Sequence, residues 1–221
     1  MKPLFGKTAP MLAALGLVLG GCAQDTAPAP AEAAAKEDPA APAGPSAPAS
    51  TDALVAAEAF IDGFYSFDGE RLATILAAAP ESAPRLLYYQ GWAQGGNYQV
   101  IERTPCVLDA DGIVDCPVTV QDDPVVALGT GFNVTDTFHL TVEDGVIVKV
   151  ETSSNDQPIY YEARTWVEAN MPAVMTGPCA NRNTPEGTPG DCARAMTAGY
   201  AAFAASDDFP GVPPLPEAPG S

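Results

Sequence analysis

The chain has 221 residues, of which 28 are acidic and 10 basic, so its formal net charge is -18 at pH 7. This balance argues against nucleic acid and anionic lipid headgroups as partners, because both are bound through basic patches. Aromatic residues make up 8% of the chain, which is enough for an ordinary core and excludes disorder throughout.

Residues 1–21 are typical of an export signal. Lys2 and Lys7 precede an apolar run, residues 11–19, that is too short to cross a bilayer as a mature helix. The run ends in Leu-Gly-Gly-Cys at residues 19–22, which resembles the lipobox of bacterial lipoproteins. In that motif the cysteine thiol, here that of Cys22, receives diacylglycerol. The alternative is an ordinary signal followed by an incidental cysteine.

Lipidation at Cys22 predicts a chain anchored to the cell envelope. Several acyl chains on one residue hold stably, because each buried methylene contributes roughly 0.8 kcal/mol. Ala23 after the cysteine indicates outer-membrane sorting if the source is diderm. After Cys22, the rest of residues 22–50 is an Ala/Pro-rich segment with no apolar periodicity, which favours a semi-extended tether.

The folded domain is predicted over residues 51–206, beginning with three helices. Thr51 or Asp52 is expected to cap a helix that runs to residue 65 and presents an apolar stripe. A short helix over 70–78 and a third over 81–93 follow, and Gly-Gly-Asn at 95–97 then turns the chain into strands.

Two strands, residues 98–108 and 113–121, are predicted to form a hairpin. If Asp109 faces Ile113 across a three-residue loop, paired residue numbers sum to 222 and Cys106 lies opposite Cys116. This register suits a cross-strand disulfide, although a slip by one position is an alternative.

A second hairpin over residues 137–152 is expected to be central. Apolar and polar residues alternate in its first arm, and Asp144-Gly145 is typical of a tight turn. The return arm is richer in β-branched residues and is therefore expected to be the better buried. The preceding segment, residues 122–131, is predicted to be irregular.

The C-terminal part is predicted to be helical. A helix is expected to start at Asn155 or Asp156 and to end before Pro172, and Asp191 is expected to cap a last helix. A Gly/Pro/Asn-rich loop between Cys179 and Cys192 separates the two. The tail, residues 207–221, is Pro-rich and expected to fray.

Four cysteines remain after Cys22, an even number that suits disulfides in an exported chain. Two local pairs, Cys106–Cys116 and Cys179–Cys192, are predicted, although four cysteines permit three connectivities. Zinc is the alternative, but the chain has one histidine and no CxxC spacing, so no metal and no cofactor is expected.

The order of three helices followed by a twisted antiparallel sheet resembles the nuclear transport factor 2-like superfamily, which includes ketosteroid isomerases and polyketide cyclases. Residues 53–72 and 116–152 carry the resemblance. It implies an α+β fold with a cone-like, strongly twisted antiparallel sheet and N-terminal helices packed on it. A disulfide-linked C-terminal helical extension is similar to additions in exported members of the superfamily.

Asp136 and His139 are candidates for general acid/base work, because carboxylate and imidazole groups are the usual proton carriers. Strand alternation places them on opposite faces, so a twist or bulge would have to bring them together. No Ser-His-Asp or Cys-His constellation is visible in the sequence. Asp62 and Asp136 are loose candidates for the catalytic aspartate base that the resemblance to ketosteroid isomerases implies.

The resemblance further implies that Tyr65, Tyr88, Tyr89 and Trp92 wall the mouth of the cone. There the tyrosine hydroxyls would bind a ligand or stabilise an oxyanion. The alternative is that these rings are filler for the core and its rim.

The sequence therefore favours a lipid-anchored envelope protein whose cone-fold domain binds a small apolar ligand or a protein partner without catalysis. An isomerase, dehydratase or cyclase acting in the cone is the first alternative, and a structural envelope lipoprotein is the second. A homodimer through the sheet is a further expectation from the resemblance.

Overall fold

The computed structural model describes residues 47–182 and 184–215. The export signal, Cys22 and residues 23–46 of the tether lie outside the described residues, as do residues 216–221 of the predicted tail. The described part is an α+β fold with one five-stranded antiparallel sheet and helices packed on it.

Three helices come first: α1 (Ala47–Phe64), α2 (Gly69–Ile75) and α3 (Ala83–Gly95). The predicted cap of α1 at Thr51 or Asp52 is wrong, because the helix already begins at Ala47. The cap of α2 is Asp68, whose side chain accepts hydrogen bonds from the backbone N–H groups of Glu70 and Arg71. The apolar stripe of α1 packs on the sheet, with its buried residues at Ala53, Ala57, Phe60, Ile61 and Phe64.

The sheet has the spatial order β1-β3-β4-β5, and β2 also pairs with β3. Its strands are β1 (Gln99–Arg103), β2 (Val107–Leu108), β3 (Ile113–Gln121), β4 (Val134–Glu143) and β5 (Val146–Ser154). The predicted first strand is thus split in two. The second hairpin is confirmed: Asp144 and Gly145 have φ values of 50° and 76°, as a two-residue turn of the type I′ class requires.

Both predicted disulfides are present, Cys106–Cys116 and Cys179–Cys192. The first follows the predicted register, since Val107 pairs with Asp115 and Leu108 with Val114. Stable disulfides form in oxidising compartments, so the pair indicates an exported chain. None of the helices in the described part of the chain has both the length and the apolarity of a membrane span.

The prediction that the return arm is the better buried is wrong. The buried side chains of β4 are Val134, Asp136, Phe138 and Leu140, whereas those of β5 are Ile147 and Val150. Position in the sheet explains the difference, because β4 has a strand on each side and β5 is an edge strand. Strand order outweighs β-branched content here.

Side chains from the start of α3 and the residue before it cover the free edge of β5. The backbone N–H of Val150 donates to Ser82 Oγ at 3.0 Å, and the Val150 carbonyl accepts from Arg85 Nη2 at 3.1 Å. Arg85 Nη1 also donates to Thr152 Oγ1 at 2.8 Å. The edge is therefore satisfied at its centre by side chains instead of a further strand.

The segment predicted to be irregular contains a short helix, α4 (Asp123–Ala127). The buried carboxylate of Asp122 caps it by accepting from the Val125 N–H at 2.8 Å. Pro124 occupies the first turn, where its missing N–H costs no hydrogen bond. Apolar periodicity did not predict this helix. Its capping aspartate and first-turn proline are the local residues that indicate a helix start.

The C-terminal extension adds α5 (Pro158–Asn170), α6 (Pro172–Thr176) and α7 (Pro189–Ala204) and has its own apolar cluster. The end of α3 meets the start of α7 closely, since a Cβ on Gly95 would lie 2.3 Å from Gly190 Cα. The tail is held at its start: Asp208 accepts from Trp166 Nε1 at 2.8 Å, and Phe209 packs on Phe203.

Candidate functional site

The four rings predicted to wall one pocket point in two directions. Tyr65 and Tyr89 lie on the sheet side, with ring centroids 6.3 and 6.2 Å from that of Phe138. Tyr88 and Trp92 face the C-terminal extension, where Tyr88 lines a groove and Trp92 packs against the apolar cluster of that extension. The helix explains this division, because consecutive residues are about 100° apart around its axis.

On the sheet side, Tyr65, Tyr89, Tyr98 and Asp136 form what we call the Tyr–Asp cluster. Tyr89 Oη donates to Asp136 Oδ2 at 2.5 Å, and the side chain of Asp136 is buried. The hydroxyl of Tyr65 is also buried and has no hydrogen-bond partner among the described residues. The cluster thus brings together two of the predicted pocket rings and one of the two predicted acid/base residues.

Burial controls the protonation of the Tyr–Asp cluster. It raises the pKa of Asp136 to about 6, with nearby Asp156 adding to the rise and the hydrogen bond from Tyr89 opposing it. Desolvation also raises the pKa of Tyr89 and of Tyr98 well above 10. The phenols therefore stay protonated and act as hydrogen-bond donors at neutral pH.

Aromatic side chains occupy the interior beside this cluster. Phe60, Phe64 and Phe138 have no exposed surface, and the ring centroid of Phe138 lies 5.4 Å from that of Phe60 and 4.9 Å from that of Phe64. Packing at this distance fills the space between α1 and β4. This interior therefore serves as core. The larger recesses lined by the described residues lie at the surface.

The structure does not bring His139 and Asp136 together. As predicted from strand alternation, His139 lies on the face opposite Phe138, where it contacts Asp115 and Ser153. The sequence analysis missed both contacts, because they come from the registers of β4 with β3 and β5. Asp62 also lies apart from the Tyr–Asp cluster, in an exposed ion pair with Arg103 at 2.5 Å.

A groove of about 440 Å³ lies between the start of α3 and the loop of residues 184–189. Its wall is mainly apolar, with Pro84, Leu87, Tyr88, Pro185 and Pro189 among the lining residues. We call it the Tyr88 groove. The disulfide between Cys179 and Cys192 ties together the two ends of the segment that closes it.

Tyr88 and Thr184 bring hydroxyl groups to this groove, and that of Thr184 already donates to the Asn181 carbonyl at 3.0 Å. The side chain of Tyr88 is 9% exposed, and its hydroxyl is buried without a hydrogen-bond partner among the described residues. Burial raises the pKa of Tyr88, and the charge of Arg182 opposes the rise. An unpaired buried hydroxyl costs free energy, and a ligand that reaches it after a shift of the atoms that cover it would recover that cost.

A larger recess, about 660 Å³, lies at the edge of β5 and has a different character. Its cations are already engaged, since Arg85 bonds to Thr152 and Val150 and Lys149 pairs with Glu151 at 3.0 Å. Size alone therefore does not decide the site. The smaller groove combines a mainly apolar lining with a hydroxyl that has no partner in the part of the chain that the structure describes, a combination that suits a ligand site.

Comparisons with protein-family models, with curated proteins and with solved structures find no match for this chain.

Proposed function

We propose that the chain is a lipid-anchored protein of the cell envelope whose folded part binds a small apolar ligand in the Tyr88 groove. The observation that carries the proposal is a mainly apolar wall beside the buried Tyr88 hydroxyl, which has no hydrogen-bond partner among the described residues. Such a site suits a ligand with a mainly apolar body and one group that hydrogen-bonds to a phenol. No catalysis is needed for this role.

The volume and closure of the groove support a small molecule over a large one. About 440 Å³ is within the range of drug-sized ligand pockets. One wall is the regular helix α3, and the other is a proline-containing segment whose ends are joined by a disulfide. A wall of this kind loses little conformational freedom when a ligand binds, which favours affinity.

We further infer that the fold is the cone of the nuclear transport factor 2-like superfamily. The order of three helices and then an antiparallel sheet supports this assignment. A homodimer through the sheet, common in that superfamily, is part of the same proposal. A solution mass of one chain for the soluble domain would contradict the dimer.

Membrane attachment through Cys22 is a separate part of the proposal, supported by the lipobox-like sequence at residues 19–22. In a bacterial host, we expect the mature chain to begin at Cys22 and to carry acyl chains there, as measured by the mass of its N-terminal peptide. The Cys22→Ala variant is expected to lack them, whereas Gln24→Ala keeps them. An unmodified Cys22 in the wild-type chain would contradict anchoring.

Filling the groove with a large side chain should weaken the binding of an apolar ligand. Ala83 lines it, so Ala83→Trp is expected to lower the affinity for the apolar dye Nile red at least tenfold, about 1.4 kcal/mol, in a fluorescence titration. Ala73→Trp on the exposed face of α2 is the matched control and should leave the affinity unchanged. Equal affinities for the two variants would place the dye elsewhere and contradict the groove.

Native mass spectrometry of the exported protein tests the natural occupant. The expected result is a bound small molecule in the wild-type protein that is absent from Ala83→Trp. A bare mass in both proteins would contradict the small-ligand proposal and favour a protein partner or a structural envelope role.

The Tyr–Asp cluster favours a second candidate function, an isomerase, dehydratase or cyclase. Its support is the 2.5 Å hydrogen bond between Tyr89 and Asp136 beside the Tyr65 hydroxyl, which has no partner among the described residues. Because Tyr89 already donates to Asp136, the Tyr65 hydroxyl would be the donor to a developing oxyanion, in a substrate that displaces part of the aromatic packing. Its test is turnover of an enolisable ketone, with loss of activity in Asp136→Asn as the expected result for an enzyme.

A further inference from the structure

Three polar side chains on three neighbouring strands form a continuous line of hydrogen bonds on the outward face of the sheet. His139 Nδ1 lies 2.7 Å from Asp115 Oδ1, and His139 Nε2 lies 2.8 Å from Ser153 Oγ. Asp115 of β3 is the direct cross-strand partner of His139 in β4. Ser153 of β5 is its diagonal neighbour, since His139 pairs with Glu151 two positions earlier.

The two ring nitrogens have distinct roles in this arrangement. A carboxylate only accepts hydrogen bonds, so its contact assigns the ring proton to Nδ1. The lone pair of Nε2 is then directed at Ser153 and accepts its O–H proton. A serine bonded to the base nitrogen of a histidine that a carboxylate orients is the connectivity that activates serine nucleophiles.

The serine is the accessible member of the three. Ser153 is exposed, while the side chains of His139 and Asp115 are 32% and 34% exposed. Thr137, the direct partner of Ser153 across the β4–β5 pairing, is the nearest hydroxyl on this face by register. The face is open, so it suits reactive esters that need little binding energy.

We propose that Ser153 is an activated nucleophile that hydrolyses small carboxylic esters, with His139 as general base and Asp115 as a positioning residue. Ser153 Oγ bonds to the ester carbonyl carbon as its proton passes to His139 Nε2. The bond to the leaving alkoxide then breaks, and the alkoxide takes that proton. Water, deprotonated by the same nitrogen, attacks the acyl-serine and releases the carboxylic acid and the free serine.

This activity is independent of the Tyr88 groove, because it uses the outward sheet face and needs no apolar ligand. Its failure would leave the proposed ligand binding untouched. Conversely, failure of the Tyr88 groove to bind a ligand would leave the expected labelling of Ser153 untouched. The two proposals are therefore separable in one set of proteins.

The test is labelling of the full chain with a fluorophosphonate probe, read by intact mass and by mapping of the modified peptide. The wild-type chain is expected to carry one adduct at Ser153. Ser153→Ala should lose it, and His139→Gln should react at least tenfold more slowly. Ser154→Ala is the matched control, because Ser154 donates to Asp156 at 2.6 Å and should not be labelled.

The rate of labelling, compared with circular dichroism, distinguishes a positioning role of Asp115 from a purely structural one. Asp115→Asn is expected to slow labelling, and Asp115→Glu should restore part of the rate, with unchanged circular dichroism in both variants. The rate of p-nitrophenol release from p-nitrophenyl acetate should be highest for the wild type, lower for Asp115→Glu and lowest for Asp115→Asn. An absence of adduct, an adduct at another residue, or equal labelling of wild type and His139→Gln would overturn the proposal.

Discussion

Replacing Phe138 by alanine is expected to lower the free energy of unfolding by about 3–5 kcal/mol, the usual cost of deleting a buried aromatic ring. Phe138 lies in the central strand β4 and has no exposed surface. Its ring centroid lies 4.9 Å from that of Phe64, and the rings of Phe60, Tyr65 and Tyr89 are within 6.3 Å. The substitution therefore leaves a cavity between the sheet and two helices.

Urea denaturation followed by circular dichroism measures this loss. Val146→Ala is the matched control, because Val146 lies in the same sheet but is 48% exposed, and its cost should be within about 0.5 kcal/mol. A loss below about 1 kcal/mol for Phe138→Ala would mean that the neighbouring rings close the cavity. In that case the aromatic cluster would not be the centre of the core.

The second large effect is a pH dependence caused by Asp122. Burial raises the pKa of this carboxyl to about 7, and the charges of Asp136, Asp156 and Asp123 add to the rise. The folded state therefore binds a proton more tightly than the unfolded chain does. Its contribution to stability is present below about pH 4 and is lost as the pH rises to about 7 and beyond.

The Asp122→Asn variant isolates this effect, because asparagine caps a helix without ionising. We expect its free energy of unfolding to be close to that of the wild type at pH 4. At pH 8 we expect it to be higher by up to about 4 kcal/mol, since the pKa rises by about three units and each unit corresponds to roughly 1.4 kcal/mol. Asp207→Asn in the exposed tail is the control, and its free energy of unfolding should follow that of the wild type at both pH values. If the pH profiles of all three proteins were parallel, Asp122 would not be the source of the pH dependence.

Local patterns were sufficient for the second hairpin and both disulfides, whereas the first strand of the first hairpin is split into β1 and β2 and its register shifts along β1. Alternation fixed which side of β4 faces the core, and a three-residue loop set the register that pairs Cys106 with Cys116. The second hairpin, residues 137–152, and the two disulfides each join residues at most 15 positions apart (152 minus 137). The order of strands depends on distant contacts, so the sequence could not show that β5 is an edge strand. The prediction that β5 is the better buried arm was wrong for this reason.

The candidate sites were less predictable, because each depends on long-range geometry. Tyr88 and Tyr89 are adjacent in sequence, yet one faces the C-terminal extension and the other faces the sheet. Ser153 and Asp115 are separated by 38 positions (153 minus 115) and meet only through His139 on the strand between them. A register for all three strands would have been needed to find them.

The cover that Ser82 and Arg85 provide on β5 has a consequence for how the protein behaves when it is crowded. An edge strand normally offers its free amide and carbonyl groups to any extended chain, which is how cross-β aggregates begin. At Val150 an incoming strand would first have to break two side-chain hydrogen bonds and displace an arginine. Chains brought close together, as the proposed lipid anchor would bring them, would thus be protected at this edge from joining into fibrils.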